Sequence, residues 1–122
     1  MYEVTMEIGA SASNYWGKIT FIDKKGVAHS KEISGERSAS KQSNILQALI
    51  DSLEILKNPC MLNIYCNEDY LVAAFQNGWL NNWQQHNWKS KKGKTVRNME
   101  QWKQVWELLT PHSRRMMKCQ KV

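Results

Sequence analysis

The chain has 122 residues, 42% of them apolar, with 17 Lys/Arg against 11 Asp/Glu and a net charge of +6. That length fits one domain that can bury a core without disulfides or structural metals, and the apolar fraction excludes a disordered chain. The sequence has no apolar run of about 18 residues, so no transmembrane helix is expected. Residues 1–7 have neither the basic start nor the apolar stretch of a signal peptide.

In chain order, residues 2–8 alternate loosely and predict a strand, and 16–22 predict a second. Asp23-Lys24-Lys25-Gly26 predicts a turn, Gly26 being free to take a positive φ. Residues 27–33 then form the returning strand, and 35–39 a loop. From Ser40 the period changes. Ile45, Leu46, Leu49, Ile50, Leu53 and Leu56 fall on one helical face, and Asn58-Pro59 ends that helix. Residues 61–66 form a short apolar strand. Asn67 is placed to cap a following helix that reaches Gln76, with Glu68 and Asp69 favourable near its positive end.

Asn77-Gly78 breaks that helix, and 79–85 predict another short one. Residues 86–95 are polar and basic, contain Gly93, and read as an exposed excursion. Asn98-Met99-Glu100-Gln101 has capping-box spacing before a helix through Leu109, closed by Pro111. Residues 114–122 predict a last strand. The expected order is β-β-β-α-β-α-α-α-β in a single domain spanning 1–122.

The charge is unevenly placed. Residues 1–75 hold 7 Lys/Arg and 9 Asp/Glu, net −2, while 76–122 hold 10 and 2, net +8. Such asymmetry points to an anionic partner for the second half, against the plainer reading of a solvated basic surface. The three cysteines, Cys60, Cys66 and Cys119, lack zinc-site spacing and read as buried or idle thiols in a reducing, cytoplasmic setting. His29, His86 and His112 are scattered and suggest no ligand cluster.

Trp79-Leu80-Asn81-Asn82-Trp83, then Asn87-Trp88-Lys89, then Lys94-Thr95-Val96-Arg97-Asn98, then Trp102, carry a specific signal. Several tryptophans at fixed offsets rarely coincide by chance. This stretch resembles the W-x-x-N-W, W-K, K-x-V-x-N-x-x-x-W pattern of bacterial type 1 ribonuclease H and aligns with it over 79–102 without a gap. More weakly, Leu46 to Leu56 resembles that family's first helix and Cys66 to Tyr70 the end of its fourth strand. The resemblance implies an α/β, ribonuclease H-like fold with a five-stranded mixed sheet. It also makes residues 79–97 the family's basic protrusion, or handle, which grips the RNA–DNA hybrid.

Family catalysis clamps two metal ions between four carboxylates, which activate water and stabilise the leaving oxygen. Magnesium needs oxygen ligands at about 2.1 Å. The resemblance puts Gly9 at the first Asp position, Ile45 at the Glu position and Asn67 at the second Asp position. The fourth acid belongs to a final helix that the chain, stopping at Val122, is expected to lack. Weak substitutes are Glu7, on the same strand face as Gly9 but roughly 6–7 Å away, and Glu68 and Asp69 beside Asn67. In plainer terms, Glu68 and Asp69 favour a helix start and Glu7 is a surface charge. Residues 12–15 shorten the family's Gly-rich loop.

Binding candidates remain. Lys89, Lys91, Lys92, Lys94 and Arg97 can neutralise phosphates, and Trp88 stands beside them to stack on bases. Trp79 and Trp83, four apart, either contact nucleic acid or anchor the handle to the core. Trp102 and Trp106 read as core. The resemblance also puts Ser40 and Gln42 at backbone contacts, against helix capping and plain solvation.

The leading expectation is a non-catalytic module for RNA–DNA hybrid or duplex RNA, with no cofactor. One alternative is an active ribonuclease H using displaced acids with magnesium or manganese. Another is a protein-interaction scaffold, with a homodimer or a partner chain covering the sheet face left by the missing helix.

Overall fold

Apolar side chains at every second position of the first strand set the architecture. Val4, Met6, Ile8 and Ala10 are buried, while Glu3 and Glu7 on the alternate positions are exposed. That period of two gives a strand with one face on the core. A computed structural model describes residues 2–89 and 92–118.

Strands β1 (Tyr2–Ala10), β2 (Asn14–Ile22) and β3 (Ala28–Glu36) form an antiparallel meander. At the β2–β3 turn, Gly26 takes φ +81°, and the backbone N–H groups of Lys25 and Val27 donate to Asp23 Oδ1 at 2.8 and 3.0 Å. Helix α1 (Lys41–Glu54) crosses to β4 (Cys60–Cys66), which runs parallel to β1. Helices α2 (Asp69–Gln76), α3 (Trp79–Gln85) and α4 (Met99–Leu109) then lead to β5 (Ser113–Lys118), parallel to β4. The five-stranded sheet has the order β3-β2-β1-β4-β5. This is the expected order of elements, with a mixed sheet and helices packed on it.

The core lies between the inner sheet face and the helices. Met6, Leu62 and Ile64 meet Leu46, Leu49 and Leu53 of α1, and Trp102 and Leu109 of α4 close the layer. Trp102 is fully buried, and its indole N–H donates to the Tyr70 hydroxyl at 3.3 Å. Cys60 and Cys66 are buried, and Cys119 lies outside the described residues. Among the described residues, no helix is long and apolar enough to cross a membrane.

Three local expectations change. The loop expected over 35–39 starts later, because Tyr15 still pairs with Gly35 and Asn14 with Glu36. Asn67 does not cap α2. Glu68 holds the cap position, and its N–H donates to Cys66 Sγ at 3.2 Å. The capping box before α4 does not form, because Asn98 turns left-handed at φ 61° and Gln101 donates its side-chain amide to α1. Tertiary hydrogen bonds override the local motif there.

Candidate functional site

Parallel pairing of Ile8 with Cys66 brings Gly9 and Asn67 side by side, just past matching positions on neighbouring strands. The second turn of α1 delivers Ile45 to the same place. The three line one cleft of about 520 Å³. Gly9 has no side chain, Ile45 is 2% exposed and belongs to the core, and the Asn67 amide faces solvent.

Trp16 pairs across the strands with Gly9 and lines the same cleft while remaining 48% exposed. A Cβ added at Gly9 would collide with its indole, 2.5 Å from Cε2. The ring thus fills the space into which a side chain at position 9 would project. Sequence reasoning missed Trp16. The cross-strand register that pairs it with Gly9 was the available signal, since a large aromatic commonly packs over a glycine on an adjacent strand.

The substitute acids divide. Glu7 and Glu68 line the cleft, but Asp69 does not and holds Lys118 Nζ at 2.7 Å. Glu68 lies 3.5 Å from Lys41 Nζ, so a side-chain ammonium already answers its charge. Glu7 pairs across the strands with Lys18. Among the described residues, no group of three or more His, Cys, Asp or Glu could hold a metal ion.

Each histidine has a local partner. His29 meets Asp23 at 2.8 Å and His86 Nδ1 meets the Asn82 carbonyl at 2.7 Å. His112 Nδ1 accepts from the Cys60 N–H at 2.9 Å. Burial, with Arg114 nearby, pushes the His112 pKa down.

In the basic segment, Lys89, Lys92, Lys94 and Arg97 are all exposed, and Lys91 lies outside the described residues. Trp88 is not the solvent-facing stacker expected, since it is only 9% exposed. The chain folds back on itself there. Lys89 bridges Thr95, the Val96 N–H donates to the Trp88 carbonyl at 2.9 Å, and the Trp88 N–H donates to the Trp83 carbonyl at 2.7 Å. Asn87 and Trp88 both take left-handed φ, 55° and 63°. A bulky residue there carries strain, which the buried ring and these bonds hold in place. Trp83 packs edge-on against Trp102 at 5.3 Å, and Trp79, 39% exposed, leans on Trp83 at 6.2 Å.

Ser40 caps α1, its Oγ accepting from the Ser43 N–H at 3.1 Å, and Gln42 is half-buried in the first turn. Beside them lies a network that the sequence did not announce. Asn44, fully buried, donates to the carbonyls of Ser11 and Arg37 at 2.7 and 2.8 Å. Arg37 Nη1 donates to Ser43 Oγ and Asn44 Oδ1 at 2.9 and 3.0 Å, and Ser43 Oγ donates to Gln101 Oε1 at 2.7 Å. These bonds tie the loops after β1 and β3, and the helix that follows the basic segment, to one point on α1.

Known proteins share this architecture. The chain is 40% identical over 83 residues to Ribonuclease H of Caldanaerobacter subterraneus subsp. tengcongensis, covering 67% of this chain and only 54% of that relative's length. Among solved structures, LC9-RNase H1, a type 1 RNase H with the type 2 active-site motif, superposes with a TM-score of 0.82 at 12% identity. The match covers 98% of this chain and 64% of that one. A foamy viral protease-reverse transcriptase in complex with RNA/DNA hybrid superposes with a TM-score of 0.65 at 16% identity, over 96% of this chain and 17% of that one. The RNase H family profile matches residues 8–121, and the chain belongs to that family.

Proposed function

We propose that this chain acts as a single-domain RNase H-like module that binds nucleic acid, an RNA–DNA hybrid or duplex RNA, without cutting it. The observation that carries the reading is the meeting of Gly9, Ile45 and Asn67 in one cleft. Two-metal cleavage needs carboxylate oxygens that hold both ions. Gly9 and Ile45 supply no side-chain oxygen and Asn67 supplies a neutral one, so these residues do not fit a magnesium pair.

Phosphate contacts fall to Lys89, Lys92, Lys94 and Arg97, with Lys91 between them in the sequence. Of the segment's tryptophans, Trp79 is the exposed one able to meet a base or sugar, while Trp83 and Trp88 hold the segment to the core. Ser40 and Gln42 stand at the first turn of α1, where a strand crossing the cleft would pass. Relatives named Ribonuclease H and a structural neighbour solved with an RNA/DNA hybrid support the ligand class. No cofactor is required for such binding, and the buried thiols suit a cytoplasmic setting.

Fluorescence anisotropy with a labelled hybrid, titrated against salt, tests this. Affinity should fall steeply with salt, flatten in Lys89/Lys92/Lys94→Ala, and persist in EDTA. A weak salt slope, or an unchanged one in the variant, would sink the binding claim. Cleavage of the hybrid in magnesium or manganese, lost in Glu68→Ala or Glu7→Ala, would instead establish an enzyme working with displaced acids. That second reading rests on Glu7 and Glu68 lining the cleft. A third reading, self-association, rests on exposed Trp16, Ile22 and Met61 on the sheet face away from α1. It predicts a dimer in light scattering.

A further inference from the structure

A second cleft, of about 570 Å³, opens beside the edge strand β5 between it and the α2–α3 corner. It shares no lining residue with the first cleft. Ser113, where β5 begins, stands level with Met61 near the start of β4, whereas Asn67 lies past that strand's end. At about 3.3 Å per residue the two levels are about 20 Å apart along the sheet.

The two clefts differ in charge: the first mixes acids with Lys18 and Lys41, and the second has cations alone. Glu7, Glu32 and Glu68 line the first, while no Asp or Glu lines the second, which presents Arg114 and Arg115 with Gln76, Asn81, His112 and Ser113. Arg114 is held in place. Its guanidinium lies 5.7 Å over the Trp106 ring, and Nη1 donates to the Leu109 carbonyl at 3.4 Å. A guanidinium fixed by stacking and partial burial loses little freedom when it meets an anion, and its fork suits phosphate oxygens. Arg115 alternates to the other face of this edge strand, but it is exposed and also lines the cleft, so its long side chain can reach the anion around the strand's edge. His112, accepting at Nδ1, carries its proton on Nε2 as a further donor.

We propose that this second cleft is an oxyanion site that takes a phosphate group. The phosphate comes either from a strand held by the basic segment or from a free polyphosphate. The α3 residue Asn81 lines the cleft and α3 leads directly into that segment, so a strand can reach both.

The full ¹⁵N-labelled chain, titrated with inorganic pyrophosphate at low salt, provides the test. Saturable shifts are expected at the backbone amides of Ser113 to Met116 and the side-chain amide of Asn81. Arg115→Glu, a surface change that leaves the core intact, should weaken them about tenfold or more, the loss of a charged hydrogen bond. Arg114→Lys, which keeps the charge but loses the fork, should weaken them less. Pyrophosphate that moves none of these amides, or shifts that survive Arg115→Glu unchanged, overturns the site. A 12-base-pair RNA–DNA hybrid assigns the source. Shifts at both the cleft and Lys89 to Arg97 place a strand phosphate there. Shifts confined to Lys89 to Arg97, beside an intact pyrophosphate response, assign a free polyphosphate. A hybrid that moves neither region, beside the same pyrophosphate response, removes the nucleic-acid reading and leaves the oxyanion site standing.

Discussion

The basic segment and the first cleft lie in one fold but relate to its core in opposite ways. In the segment, the core supports what is displayed. Trp83 packs on Trp102, Trp88 is buried, and Lys89, Lys92, Lys94 and Arg97 stand in water. In the cleft, packing fills the space instead. Ile45 has joined the core, and the Trp16 indole lies where a side chain at position 9 would go. On the function proposed above, gripping and cutting separate here, since one needs exposed charge on an anchored loop and the other needs carboxylates held at a strand end.

The largest way to break the comparison is to remove the anchor. Trp102→Ala should cost about 3–5 kcal/mol, the range for truncating a large buried aromatic. Urea denaturation reads this as a lower midpoint at an unchanged slope. Because Trp83 packs on Trp102, the segment should loosen with it, and hydrogen exchange at Lys89 and Val96 should quicken while exchange in β1 and β2 follows global stability alone. Equal acceleration throughout the chain would show that the segment has no anchor of its own.

The next effect falls on binding. Removing three exposed charges with Lys89/Lys92/Lys94→Ala should, if they meet phosphates as proposed, flatten the log–log salt slope by up to about 2.7, at about 0.9 per contact. Between about 50 and 200 mM salt that corresponds to a difference of roughly 40-fold in how much affinity is lost. Thermal stability should barely move, since all three side chains are exposed.

Much of this contrast was legible in the sequence. The order of elements followed from alternation in β1 and the helical stripe of Ile45, Leu46, Leu49, Ile50 and Leu53, because burial of one face leaves a periodic trace. The tryptophan offsets of 79–102 carry the family's mark in the residues alone, because a spacing pattern does not depend on how the chain folds. What stayed hidden depends on contacts distant in the chain. Nothing local says that Trp88 points inward, since its burial follows from the Lys89–Thr95 bridge and two left-handed residues. Nothing local says that Asn44, buried on a mostly apolar helix, joins two loops to α1. Trp16 over Gly9 needed the β1–β2 register, and a register shift of one residue would have turned the ring to the other face.

Gly9→Asp sharpens the cleft half of the comparison. A carboxylate there must push the indole aside, so the substitution should destabilise by about 1–3 kcal/mol, as overpacking does. Trp16→Ala should relieve it. In a double-mutant cycle the coupling should be favourable and fall in the range of about 0.5–3 kcal/mol for residues in contact. Additive effects would mean that the ring moves away freely. Gly9→Asp alone should produce no magnesium-dependent cleavage, because Ile45 and Asn67 still supply no carboxylate at the other two positions.

The smallest effect is a pH dependence that belongs to neither region and therefore serves as their common control. Burial lowers the His112 pKa below its unfolded value of about 6.5. Between the folded pKa and about 6.5 the unfolded chain binds the extra proton, so stability rises with pH there. The contribution is fully present above about 6.5 and is lost as pH falls from there toward the folded pKa. Protonation also removes the Nδ1 acceptor that the Cys60 N–H uses. The steepest slope one proton allows is about 1.4 kcal/mol per pH unit. Melting temperatures from pH 7.5 to 5.5 should drop in the wild type and drop less in His112→Gln. Because His112 lines a different cleft from Gly9 and bonds to Cys60 rather than to Lys89, Lys92 or Lys94, the same shift should appear in Lys89/Lys92/Lys94→Ala and in Gly9→Asp. A pH response altered by either variant would mean that the two regions are coupled through the core that seats them both.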